Sequence, residues 1–371
     1  MLKAIKQRNL QLLRKKVQTP IFGRLSSTIS QYAFAFDIDG VLLRGSETLK
    51  EGTLALQTLN RARLPWILLT NGGGKSESSR VVDLSQKLDV PIDIRQIVQS
   101  HTPFKELAKK YNRVLVIGGD GDICRGVAQE YGFRDVVRTT DIIRANPTIW
   151  PYSRFSATEL EEWTRPDYLD LYNSSSELGS IDAILVFNDP RDWGSDIQIV
   201  LDLLCSQNGR LGTRRDLNQN HTSSNNLKIP AIPIHFSNND MLWANDYPLP
   251  RFGQGAFRSI VQRLYKDLTG TDLVYTVIGK PEAETYDFGY KMLASWREQH
   301  LGLTEDSLKK VYMVGDNPAS DIMGANNYGW DSMLVRTGVF QDGDLPTIVA
   351  KPKYIFNDVL EAVNFAIQKH S

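Results

Sequence analysis

Tyr32-Ala-Phe-Ala-Phe-Asp-Ile-Asp-Gly-Val41 sets five apolar residues directly before two carboxylates. An unbroken apolar run of this length reads as a strand buried on both faces, the usual state in a parallel sheet. Asp37 and Asp39 then stand at its carboxyl end, followed by the turn residue Gly40. A helix is expected near residues 52–61, then a second buried strand, Trp66-Ile-Leu-Leu-Thr70, ending in Asn71-Gly-Gly-Gly74. Further strands are expected at Val114–Ile117, Ile184–Phe187, Val274–Ile278, Val311–Val314 and Met333–Val335. Strands alternating with helices predict an α/β fold with a Rossmann-like, doubly wound parallel sheet. Ligands of such sheets bind beyond the carboxyl ends of the strands. Asp37, Thr70, Lys280 and Asp316 all occupy such ends and are expected to converge on one crevice.

Each of these positions carries usable chemistry. Of two carboxylates at i and i+2 in a tight turn, one can attack phosphorus and the other can serve as general acid, then base. The run Val311-Tyr-Met-Val-Gly-Asp-Asn-Pro-Ala-Ser-Asp-Ile322 offers Asp316 and Asp321, hard oxygen donors suited to Mg²⁺. Asp321 at a helix start is also a plausible N-cap. Lys280, in Gly279-Lys-Pro-Glu282, can neutralise a carboxylate and phosphoryl oxygens from a helix N-terminus. Thr70, Asn71 and Gly72 offer a hydroxyl, an amide and an unobstructed backbone to an anion. The stripe Phe288, Met292 and Trp296 is core spacing on a helix. Two nucleotide fingerprints fail on spacing. Gly74-Lys75-Ser76 would need a glycine where Leu69 stands, and Gly119/Gly121 would need one at Cys124, so both read as plain turns. The five histidines show no metal or triad spacing.

Taken together, Phe36–Gly45, Leu69–Gly73, Gly279–Glu282 and Gly315–Asp321 resemble, in order, the four motifs of the haloacid dehalogenase (HAD) superfamily. The long insertion after the second motif resembles subfamily IIA. The glycine-rich loop and Phe236–Trp243 resemble the eukaryotic, largely mitochondrial branch typified by the cat eye syndrome critical region protein. The resemblance implies a HAD core with an inserted C2-type α/β cap. It implies Asp37 as nucleophile and metal ligand, and Asp39 as general acid/base binding Mg²⁺ through its carbonyl. Thr70 and Lys280 would hold the phosphoryl group, Asp316 would ligate the metal, and Asp321 would orient it. Asn71 and Gly72, with Asn239 and Asp240 near the return from cap to core, would face the substrate. Asn71 precedes three glycines here, where many relatives have Asn-Asn or Asn-Ser, so bacterial sugar phosphatases are an unsafe guide to the substrate.

The expected activity is a Mg²⁺-dependent phosphatase acting on a small phosphorylated metabolite through an aspartyl-phosphate. The branch's association with glycerophospholipid metabolism implies a glycerol-phosphate-type substrate as an alternative. A non-catalytic binding protein on the same fold is another. Halide displacement would leave Asp39 and Asp316 without a purpose.

The expected layout is a core at 31–100 and 241–371, a cap at 101–240, and a leader at 1–30. From Met1 to Phe36 there is no acidic residue, against seven basic ones, with hydroxyls at Ser26, Ser27 and Thr28. That composition fits a mitochondrial presequence, with the matrix as destination, or a basic tail on a cytoplasmic enzyme. Lys+Arg and Asp+Glu balance at 43 each, so charge gives no case for nucleic acid. No run approaches the roughly 20 apolar residues of a transmembrane segment. Cys124 and Cys205 are too few and too far apart for a disulfide framework. A homo-oligomer is compatible with the sequence and not specified by it.

Overall fold

The computed structural model describes residues 31–169, 180–215, 229–302 and 308–371. The leader expected at 1–30 lies outside them, as does His221, one of the five histidines.

In chain order the strands are β1 (Tyr32–Phe36), a hairpin of β2 (Leu43–Arg44) and β3 (Glu47–Thr48), β4 (Trp66–Leu69), β5 (Ile97–Val98) and β6 (Arg113–Ile117). There follow β7 (Asp135–Val137), β8 (Ala183–Val186), β9 (Ile234–Phe236), a hairpin of β10 (Leu242–Trp243) and β11 (Arg251–Phe252), and β12 (Thr276–Val277). The last are β13 (Lys310–Gly315), β14 (Asp331–Val335) and β15 (Tyr354–Phe356). The helices are α1 (Lys50–Ala62), α2 (Glu77–Leu88), α3 (Ile123–Glu130), α4 (Thr139–Ala145) and α5 (Ala157–Trp163). They continue with α6 (Trp193–Leu204), α7 (Gln254–Thr269), α8 (Ala283–Leu301), α9 (Met323–Tyr328) and α10 (Val359–His370).

The first sheet has the order β15-β14-β13-β1-β4-β5, all parallel. Successive residues of β1 point to opposite faces. Tyr32, Phe34 and Phe36 enter a core with Leu56 and Leu59 of α1 and Val363 and Ala366 of α10. Ala33 and Ala35 face the other way, where their small side chains admit Tyr286 and Leu293 of α8. Fully burying one large apolar side chain of this kind stabilises by about 1.5–3 kcal/mol. Phe288 and Met292 pack on that second face, as helical core residues should.

The second sheet, inserted between β5 and β13, has the order β12-β9-β8-β6-β7 and is also parallel. It extends beyond the expected limit at residue 240. Phe257, Val261 and Tyr265 of α7 share a core with Ile184 and Phe236, and β12 pairs with β9 at Thr276↔His235. The run Val274–Ile278 is therefore an edge strand of the insertion, shorter than expected, rather than a strand of the first sheet. The apolar run alone gives no information about which sheet it joins. Asp321 does lie in the first turn of a helical segment that runs on into α9, but it is not the cap of that segment. A π-type turn spans Pro318–Ile322, and its capping side chain is Asn317, which accepts from Ala319 N at 2.9 Å.

Candidate active site

Strands β1 and β13 lie side by side with Phe36 level with Val314, so the residues just past their ends come together. The backbone N–H of Asp37 donates to Val314 O at 2.9 Å. The turn after Asn317 folds Asp321 back toward the same point. One oxygen from each of Asp37, Asp316 and Asp321 then lies within 4.8 Å of the others, and all three residues are buried.

Three buried carboxylates this close need countercharge. Lys280 supplies part of it. Its Nζ is 2.6 Å from Asp321 Oδ1 and 3.0 Å from Asp37 Oδ1, with the side chain fully buried. Burial pulls its ammonium pKa down, but Asp321 and Asp37 push it up further, so the charge is retained. The balance stays negative. Burial, with Asp321 and Asp37 nearby, holds the Asp316 carboxyl well above the usual carboxylate range. Burial also pushes Asp321 up to about 6 against the pull of Lys280.

These residues fit a divalent cation. Hard oxygen donors converge, and buried Asp37 Oδ1 accepts no hydrogen bond despite its nearness to Lys280. Asp321 is otherwise engaged, because its oxygens accept from Lys280 Nζ and, at 3.1 Å, from Asn317 N. Asp37 and Asp316 are the better direct ligands, with Asp321 fixing the lysine.

Asp316 Oδ2 accepts from Val339 N at 2.6 Å and lies in a slot between two glycines. A Cβ on Gly40, whose φ is +83°, would come within 2.4 Å of that oxygen, and one on Gly338 within 1.9 Å. Gly338→Ala is therefore expected to displace the carboxylate and cost roughly 10–100-fold in metal affinity, the usual penalty for disturbing a ligand's support. Titrating the metal against activity checks this; an unchanged half-saturating concentration would show that the slot is unimportant.

Asp39 and Thr70 flank Gly72, where a Cβ would lie 3.2 Å from Asp39 Oδ2 and 3.1 Å from Thr70 Oγ1. Thr70 Oγ1 accepts from Gly72 N at 2.9 Å. Burial pushes the Asp39 carboxyl up to about 6, with Asp37 adding to the rise and Arg80 opposing it. A carboxyl poised there can give up or take a proton near neutrality.

Asp37, Asp39, Thr70, Asn71, Gly72, Asp240 and Asp316 line one cavity of about 510 Å³. Lys280 and Asp321 lie beneath it. Lys280 reaches the cluster from the segment that returns from the insertion, not from a strand of the first sheet. Two expected substrate contacts are placed differently. The Asn71 amide donates to Asp240 Oδ2 and Lys280 O and accepts from Lys280 N, while Asn238 donates to Asn71 O. That side chain ties the return segment to β4 and has no donor left for a ligand. Asn239 is absent from the cavity lining and accepts from Arg258 at 2.6 Å instead. Its neighbours Asn238 and Asp240 line the cavity.

The rest of the wall escaped sequence reasoning. Lys75 and Arg80 approach from the segment after the glycine run, Asp189, Arg191 and Trp193 from the insertion, and Trp243, Arg251 and Phe252 from the β10–β11 hairpin. Of these, only Trp243 and Lys75 lay in stretches that the sequence singled out, and Lys75 read there as part of a plain turn. Asp189 Oδ1 is buried there without a hydrogen-bond partner.

Comparison with known proteins bears on this arrangement. Residues 34–134 match the family described as haloacid dehalogenase-like hydrolase, and residues 277–362 match the HAD-hydrolase-like family. A mitochondrial hydrolase of Saccharomyces cerevisiae is 47% identical over 361 residues, covering 93% of this chain and 98% of that protein. A cardiolipin synthase (CMP-forming)/mitochondrial hydrolase fusion protein of Schizosaccharomyces pombe is 41% identical over 383 residues; the alignment takes in all of this chain and 60% of the fusion. Among solved structures, a possible sugar phosphatase from Cytophaga hutchinsonii superposes with a TM-score of 0.59 at 17% identity, covering 90% of this chain and 96% of that one.

Proposed function

This chain belongs to the haloacid dehalogenase-like hydrolases, and on that footing we propose that it is a Mg²⁺-dependent phosphatase of a small phosphorylated metabolite. The observation that carries this reading is the convergence of Asp37, Asp316, Asp321 and Lys280 at adjoining strand ends. In the first half-reaction a carboxylate oxygen of Asp37 bonds to phosphorus while the bond to the leaving oxygen breaks. Asp39 gives its proton to that oxygen. In the second half-reaction Asp39 takes a proton from water, the water oxygen bonds to phosphorus, and the aspartyl–phosphorus bond breaks. Thr70 and Lys280 hold the phosphoryl oxygens throughout. Asp37, the Asp39 carbonyl and Asp316 would hold Mg²⁺, with Asp321 orienting, and the ion would offset the phosphoryl charge.

The inserted α/β unit acts as a C2-type cap that shapes the rest of the cavity and excludes water. Asp189 Oδ1, buried and unpartnered, is suited to accept from a substrate hydroxyl. Lys75, Arg80, Arg191 and Arg251 suit a substrate with more than one anionic oxygen. Partly exposed Leu242 and Trp243 and exposed Phe252 give the cavity mouth an apolar rim.

That rim, and the fusion of the Schizosaccharomyces pombe relative to a cardiolipin synthase, favour a second reading of the substrate: a glycerol-phosphate head group of glycerophospholipid metabolism. The relatives named as mitochondrial and the acid-free, basic residues 1–36 support a mitochondrial site of action, with the matrix as compartment.

Phosphate release from a panel of sugar phosphates, polyol phosphates, p-nitrophenyl phosphate, glycerol phosphates and phosphorylated lipids tests the reading. Turnover of at least one compound is expected, lost in EDTA and restored by Mg²⁺. Silence across the panel rejects the phosphatase assignment. Turnover confined to compounds without glycerol rejects only the lipid reading.

A further inference from the structure

The second sheet has a crevice of its own. From β6 the chain moves outward to β7, then returns past β6 to β8, so the strand order reverses between β6 and β8. Open α/β sheets take their ligands at such a reversal. The turn Gly118–Gly121 follows β6, Arg138 and Thr139 follow β7, and Asp192 and Asp196 follow β8; together they border a cavity of about 760 Å³. That volume lies within the roughly 300–1,000 Å³ of small-molecule sites. Arg191 is the one residue that also lines the cleft described above.

The acids at this crevice are already engaged. Asp120 pairs with Arg191 at 2.7 Å, Glu159 accepts from Ser156 at 2.8 Å, and Asp192 accepts from Ser195 N at 3.5 Å. Burial pushes the Asp196 carboxyl up to about 7, so it keeps much of its proton at neutrality.

Arg138 is not engaged in the same way. It is 6% exposed and forms no ion pair among the described residues. Its Nη2 donates to Gly121 O at 3.1 Å, while its buried Nη1 has no hydrogen-bond partner. Asp122 and Asp196 lie near enough to feel its charge but neither pairs with it directly, so the unpartnered Nη1 leaves the guanidinium under-satisfied, and an anion beside it would correct that. Aromatic rings line the crevice as well. Trp150 and Trp163 line it, and Tyr152, 74% exposed, meets Trp150 edge-on with ring centroids 5.4 Å apart. Aromatic walls of this kind stack flat heterocycles.

We propose that this crevice binds a planar heteroaromatic ligand with one anionic group, of the nucleoside monophosphate class. The anion lies by Arg138 and the Gly118–Gly121 turn, and the ring lies among Trp150, Tyr152 and Trp163.

Calorimetric titration of the full chain with adenosine monophosphate tests this, in EDTA and with Asp37→Asn present to prevent turnover. Saturable one-to-one binding is expected, and Arg138→Gln should weaken it by about tenfold or more. Arg138 also supports Gly121, so a surface variant is needed as well. Tyr152→Ser combined with Arg154→Ser alters two exposed side chains. It should weaken binding by about tenfold through the lost ring contact. In the otherwise wild-type enzyme the same pair should leave p-nitrophenyl phosphate turnover within about twofold. Adenosine alone and inorganic phosphate alone should each bind more weakly than the nucleotide. The proposal is overturned by absence of saturable binding, by binding that the surface variant leaves intact, or by displacement when Mg²⁺ and inorganic phosphate fill the other cleft.

Discussion

Asp37→Asn is expected to reduce phosphate release by roughly 10⁴-fold or more, the scale seen when a covalent nucleophile is removed. The substitution keeps the side chain's shape and removes its charge. Three consequences combine at one position. The amide is a far weaker nucleophile toward phosphorus, one anionic oxygen is lost from a cluster only 4.8 Å across, and Lys280 loses one of its two carboxylate neighbours. The fold should persist, because Asp37 Oδ1 accepts no hydrogen bond and the backbone N–H of residue 37 keeps Val314 O. Stopped assays on purified protein, with circular dichroism to establish folding, read both parts. A folded variant that still turns over within tenfold of wild type would place the nucleophile elsewhere.

The second large effect is on stability. Lys280→Met replaces a fully buried ammonium by a neutral chain of similar length. Asp321 and Asp37 would then face each other without their shared cation. Breaking a buried pair by removing one partner costs about 3–5 kcal/mol, most of it the penalty of the charge left behind. Urea unfolding in EDTA should show that loss as a lower midpoint at an unchanged slope. Added Mg²⁺ should recover part of it, because the ion supplies positive charge to the same carboxylates. Activity should fall by roughly 10²–10³-fold, as when one donor to a developing anion is removed. An unfolding midpoint equal to wild type would mean that the two ion pairs contribute nothing net to the fold.

How much of this was readable in advance depended on where each residue's partners lie. Strands β1 and β13 are buried on both faces, so their apolar residues run unbroken and end abruptly in carboxylates. That contrast is local and legible. Lys280 was legible as a residue, but its platform was not. The run Val274–Ile278 reads as a strand in either sheet, and its pairing with β9 is decided by residues some 40 positions away. Asn71 was legible as a polar loop residue, yet its amide is committed to Lys280 and Asp240, 209 and 169 positions distant. Arg251 and Phe252 reach the cavity because a hairpin folds over it, and no local pattern announces that. The short strands β5, β7 and β15 passed unnoticed because two or three residues cannot establish a period.

The central place of β13, between β1 and β14, bears on when this chain can begin to work. Synthesis delivers Asp37 early and residues 310–321 late, and pairings so distant in sequence form slowly. Until the late segment emerges and inserts, the aspartate at 37 has neither the neighbour at 316 nor a lysine anchored by 321. A growing chain that has not yet reached residues 310–321 therefore carries an incomplete reaction centre, and hydrolysis is withheld until that segment has been made and inserted.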